Sequence, residues 1–268
     1  METIKMVSRV VMVVLLLGAC TQQRDEQVVL SEYAQKHDGF WVNEVGGLKV
    51  GLSGKDIDLN SLLELPERAL AKIESLEIQG RLVRLPNLKS LRNLREFFLS
   101  SNSVENIAAL WECEKLEMVN LSDDSITSIE GIKNLKKLKI FRANDTPISD
   151  ITELNSLPQL HTVDLWNSKL KRLPDLSGTE IRFLAISRTP IESLDNIETL
   201  KNPFELWIDG CYNLKDIDAL AQSNVSVLVY DEELYHMFQS WFDEHLPKLR
   251  EKNPEFKALF ESQYDRDL

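Results

Sequence analysis

The chain has 268 residues, 43% hydrophobic and 28% charged, enough for one large packed domain or two small ones at roughly 150 residues each. Its 31 basic residues against 43 acidic ones give a net charge of −12, which repels phosphate backbones and argues against nucleic acid as a partner. Ten Gly and nine Pro exclude collagen-like or linker-dominated chains, and three Cys cannot make a disulfide scaffold.

Lys5 and Arg9 precede a ten-residue apolar run, Val10 to Ala19, that ends at Cys20. A membrane-spanning helix needs ~20 apolar residues, so the run fits the hydrophobic region of a secretory signal instead. Leu17-Gly18-Ala19-Cys20 resembles the lipobox of bacterial lipoproteins. That resemblance implies loss of residues 1–19, a diacylglycerol on the Cys20 sulfur, often a further acyl chain such as palmitate on its amine, and a place in the bacterial cell envelope. Two or more acyl chains, at ~0.8 kcal/mol per buried methylene, make attachment effectively permanent. Thr21 stands where some enterobacterial lipoproteins carry an inner-membrane retention Asp, which favours the outer membrane. Residues 20–27 then read as a lipidated Cys and a polar tether. The competing reading is an ordinary signal peptide with a chance Cys.

Residues 28–72 hold Phe40, Trp41, a Gly-rich stretch and a helical segment near Leu65–Ala71, and read as an N-terminal cap. Gly51-Leu-Ser-Gly54-Lys55 fails as a phosphate loop, because Lys49 and Asp56 occupy the places that require Gly and Ser or Thr. From residue 73 a repeat takes over. Segments starting at Leu94, Leu116, Leu138, Leu160 and Ile181 align with spacings of 22, 22, 22 and 21 residues. Each carries apolar residues at places one, four, six, eleven, fourteen and seventeen, as in Leu116, Val119, Leu121, Ile126, Ile129 and Ile132. A weaker copy starts at Ile73, another includes Leu206 and Ile208, and Val225–Tyr230 reads as a last strand. Alternation at places four and six is a strand with one buried face, and the later aliphatic residues line the returning turn.

This pattern, over residues 73–230, resembles the leucine-rich repeat family in its short 22-residue subclass, typified by bacterial internalins. The resemblance implies an α/β solenoid, a right-handed superhelix with a parallel concave sheet, and a protein-binding role without catalysis. The family's ladder Asn at place nine is eroded to Asn102, Asp124, Thr146, Ser168, Thr189 and Cys211, mostly short polar side chains able to bond nearby backbone. Residues 231–268 read as a helical C-terminal cap: an amphipathic helix over Asp231–Leu249, with Pro247 placed to kink or end it, then a second helix from Pro254.

The sequence offers little chemistry. Four His lack metal-ligand spacing, no nucleophile signature occurs, and no cofactor, metal or catalytic residue is assigned. Cys113 takes a core Leu place. By strand spacing it lies about 24 Å from Cys211, too far for a disulfide. What remains is the concave face, where places three, five and seven point away from the core. Phe98, Met118, Ile140, Arg142, Asp164, Trp166, Phe183, Trp207 and Tyr230 stand there as partner-binding candidates. Arg142 and Asp164, on adjacent strands, are placed either to pair or to read a charge on a ligand. The favoured partner is a protein or peptide. A glycan and a purely structural envelope role are the alternatives, and the C-terminal cap folding over Tyr230 and Trp207 is the competing account of the patch.

Overall fold

The computed structural model describes residues 26–260 apart from 38, 44–47, 56, 83, 101–103 and 123–124. Cys20 and the lipobox lie outside the described residues, as do the ladder positions Asn102 and Asp124; of the expected tether, Glu26 and Gln27 are instead the start of the first helix. Among the described residues one sheet of eleven strands, in chain order, runs from Phe40 to Phe260. The hairpin β1 (Phe40–Asn43) and β2 (Leu48–Gly54) is antiparallel, and every later strand adds in parallel. β3 spans Ile73–Gly80 and β4 Glu96–Ser100, followed by β5 (Met118–Asn120), β6 (Ile140–Arg142), β7 (Thr162–Asp164), β8 (Phe183–Ala185), β9 (Phe204–Trp207) and β10 (Val225–Tyr230).

Strand pairing follows the repeat. Phe97, Val119, Phe141, Val163, Leu184 and Leu206, all at place four, are in-register neighbours and all fully buried. Place six forms a second column in which Leu121, Ala143, Leu165, Ile186 and Ile208 have no exposed surface. The return side supplies columns such as Ile126–Ile148–Leu170–Ile191, closed by short 3-10 helices including Ile132–Asn134, Thr152–Ser156 and Ile197–Thr199. At place eight the chain leaves the sheet by a left-handed step, with φ of 55° at Asp145, 54° at Asn167, 57° at Arg188 and 73° at Gly210. Only Gly adopts that conformation freely, so three of these turns carry strain that the surrounding coil holds in place.

The eroded ladder still bonds. Thr146 and Thr189 are buried, and their hydroxyls donate to the carbonyls of Ala143 (2.8 Å) and Ile186 (2.7 Å). The Cys211 thiol reaches the same Ile186 carbonyl at 3.1 Å, and the buried Ser168 hydroxyl finds no acceptor.

Helices close the ends. α1 (Glu26–Lys36) buries Leu30 and Tyr33, with Tyr33 stacked on His37 and edge-on to Phe40. α2 (Leu59–Leu63) is N-capped by Asp58, and α3 is Glu67–Leu70. At the far end α4 (Glu232–Met237) and α5 (Gln239–Lys252) are separate helices broken at Phe238, and α5 runs through Pro247. Asp231 ties this cap to the last coil. One carboxylate oxygen accepts from Leu234 N (2.8 Å) as N-cap, and the other accepts from Gly210 N (2.7 Å) and the Tyr212 hydroxyl (2.9 Å). The second helix expected from Pro254 is instead a strand, β11 (Lys257–Phe260), paired in parallel with β10. The free edge of β10 supplies backbone partners that helical spacing in the sequence cannot outweigh.

Cys113 and Cys211 are both free and buried, and burial pushes their thiols up to about 12 and about 11 respectively. Neither should be labelled by a maleimide at pH 7.5 in the native protein, and both should react at once in guanidinium without reductant. A Cys113–Cys211 disulfide in the mass spectrum would contradict the repeat register.

Candidate functional site

Each three-residue strand buries its middle side chain and turns the flanking two outward, so pairing builds two rows along the concave face. Place three reads Ser75, Glu96, Met118, Ile140, Thr162, Phe183 and Glu205; place five reads Glu77, Phe98, Asn120, Arg142, Asp164, Ala185 and Trp207. Phe98, Met118, Ile140, Arg142, Asp164, Phe183 and Trp207 are all partly exposed, as is Trp166 at place seven of its repeat; Ala185 is buried.

The aromatic end is tightly organised. Phe183 and Trp207 meet edge to face with centroids 5.7 Å apart, and the Trp207 indole N–H donates to Glu205 Oε1 at 2.5 Å. The Arg188 guanidinium lies 5.0 Å over the Trp166 ring, a cation–π contact that occupies one face of the indole. Beneath this end, Asp209 is 3% exposed, accepts a hydrogen bond from the Ser187 hydroxyl and sits near Asp231; burial is the main cause that raises its pKa above the ordinary carboxylate value.

Tyr230 does not belong to the open face. A bulge in β10 lets Val225 pair with Phe204 but Val227 pair with Glu205, so Ser226 is an extra residue and every later side chain changes sides. Leu228 therefore pairs with Leu206 at place four, and Tyr230 points inward, 3% exposed and stacked on Phe242 with centroids 4.7 Å apart. Trp207, one strand earlier, stays partly exposed.

At the centre of the face Arg142 and Asp164 are in-register neighbours on β6 and β7, yet form no ion pair. Asp164 is otherwise engaged: its Oδ2 accepts from the Asn144 amide at 3.0 Å, and its Oδ1 lies 3.4 Å from Trp166 N. Arg142 Nε is buried without an acceptor. Such a group forfeits about 1–3 kcal/mol of solvation unless a partner supplies an oxygen.

The leading edge of the strands carries an alternating charge row. Glu117 accepts from Lys139 Nζ at 2.6 Å and pairs with Arg95 at 3.3 Å; Lys49 pairs with Glu96 at 3.2 Å. The Lys139 hydrogen bond holds the Glu117 carboxyl below its ordinary value. These pairs are half exposed, so each adds little stability. With Met118 and Ile140 they line a groove of about 300 Å³. The sequence reading missed Trp41. It pairs across from Gly51 on the concave side and is 37% exposed. A Cβ on Gly51 would lie 1.9 Å from the indole, so only glycine allows the ring to lie there. The Leu48, Val50, Leu52 alternation around Gly51 was the available signal.

Among the described residues no group of three or more His, Cys, Asp or Glu could hold a metal ion, and no helix is long and apolar enough to cross a membrane. Because burial raises the folded pKa of Asp209, its stabilising contribution is complete below the unfolded pKa and is lost as pH rises through the folded one. The melting temperature of Asp209→Asn, minus that of the native protein, should accordingly be larger at pH 7 than at pH 3. Equal differences at the two pH values would refute this.

No family model and no curated protein sequence matches the chain. Solved structures do. An internalin from Listeria monocytogenes superposes with a TM-score of 0.56 at 19% identity over 69% of this chain and 55% of its own length. Internalin C2 from the same organism gives 0.52 at 19% identity over 62% of this chain and 84% of its own. The match thus spans little more than half of the first of these proteins. With the in-register columns and the parallel sheet, these likenesses establish the architecture as an internalin-like leucine-rich repeat solenoid.

Proposed function

We propose that this protein is a non-enzymatic recognition module that binds another protein or peptide through its concave face and is held at a bacterial membrane by lipid on Cys20. One observation carries the binding reading. Large apolar side chains at Phe98, Met118, Ile140, Phe183 and Trp207 recur on one side of a continuous sheet and remain partly exposed. Aromatic anchors among polar neighbours are the usual make-up of interface hot spots. A glycan-binding role is the second reading, since indoles also stack on sugar rings. The geometry favours protein over sugar: Trp166 already has one face under Arg188, and Phe183 and Trp207 meet edge to face rather than as a flat platform.

The lipobox supports anchoring, and Thr21 supports placement in the outer membrane over the inner. Phe183→Ala combined with Trp207→Ala should abolish capture of a partner crosslinked in envelope extracts while circular dichroism and melting stay close to native. Undiminished capture would remove the patch from consideration. Cys20→Ser should lose labelled palmitate and leave the membrane fraction; label retained by the variant would place the lipid elsewhere.

A further inference from the structure

One group on the concave floor has incomplete bonding. Arg142 stands mid-row between Asn120 and Asp164, itself partly exposed but with Nε buried and lacking an acceptor. A guanidinium carries only donors, so only an oxygen-bearing group can satisfy it. The nearest carboxylate in register, on Asp164, is turned to Asn144 and Trp166. On the other side the Asn120 amide oxygen accepts from Ser122 N (3.0 Å) and from the Ser122 hydroxyl (2.7 Å). That leaves the Asn120 NH2 as a second donor on the strand next to Arg142. Other cations of the face are engaged: Lys49 with Glu96, Arg95 and Lys139 with Glu117, and Arg188 over Trp166.

Met118 and Ile140 flank this donor pair one row away on the same two strands. We propose that Arg142 and Asn120 form a socket for a carboxylate of a protein partner, an Asp or Glu side chain presented beside an apolar residue that rests on Met118 and Ile140. This rests on the concave-face reading. The single guanidinium suits a monoanion taken in a forked geometry, and Asp164 one strand away disfavours a more highly charged phosphate.

The test uses the full-length protein in detergent as bait for a displayed library of random twelve-residue peptides, selected in parallel on the native chain, Arg142→Gln, Arg142→Lys and the Phe183→Ala/Trp207→Ala pair. Peptides selected on the native chain should be enriched in Asp or Glu next to an aliphatic or aromatic residue. Changing that acid to its amide, or Arg142→Gln, should each weaken binding about tenfold or more, as loss of a charge-assisted hydrogen bond does. The two changes together should cost little more than either alone, and Arg142→Lys should recover only part of the loss. Peptides without acid enrichment, or bound equally by Arg142→Gln, overturn the socket while leaving the concave face standing if the aromatic double variant loses them. Peptides held equally by that double variant, or an empty selection, overturn both. The acid-to-amide peptide keeps the test decisive if Arg142→Gln folds poorly.

Discussion

No coil of this protein could fold by itself. Its strands from β5 to β7 are three residues long and bury a single middle side chain each, far too little apolar contact to offset the entropy of ordering a 22-residue loop. Stability comes from columns instead: Val119 under Phe141 under Val163 under Leu184, every one without exposed surface. The concave face follows from that constraint. Once every second residue of every strand is committed to a column, the residues between them are driven to one outward side, in register, over the whole sheet. What those residues are is free to vary, and here they are charged at one end and aromatic at the other.

The same dependence on neighbours explains both ends. A terminal coil has a column with nothing above it and a strand edge with nothing beside it. At the front, an antiparallel hairpin and α1 cover the first columns. At the back, α5 brings Phe242 and Leu249 against the last coil, the turn after it buries Phe256, and β11 pairs with the edge of β10. Asp231 fixes the junction by serving two elements at once, capping α4 and accepting from the Gly210 backbone of the preceding coil.

The repeats were legible in the sequence because a fixed period converts position directly into side-chain direction. Leu121, Leu165 and Ile186 occupy places that can only be inward if the period holds, and they are. The ends were less legible for the opposite reason. Phe256, Leu259 and Phe260 have the spacing of a helix, yet the open edge of β10 recruits the segment as a strand, a tertiary effect that local spacing does not encode. The candidate face was legible as a set of positions, but not its bonding. Whether Arg142 pairs with Asp164 is decided by Asn144, two residues along the chain from Arg142, which takes the Asp164 carboxylate first. Trp41 escaped notice because it lies before residue 73, where the repeat begins, so no period converts its position into a direction; only the pairing of β1 with β2 sets it opposite Gly51.

The extra residue at Ser226 has a wider meaning. Since side chains alternate along a strand, gain or loss of one residue there exchanges everything that β10 shows to the cap with everything it shows to the cavity of the horseshoe. A lineage carrying this fold could thus convert a packing tyrosine into a contact tyrosine, or the reverse, by a single-codon insertion or deletion, leaving every upstream coil untouched.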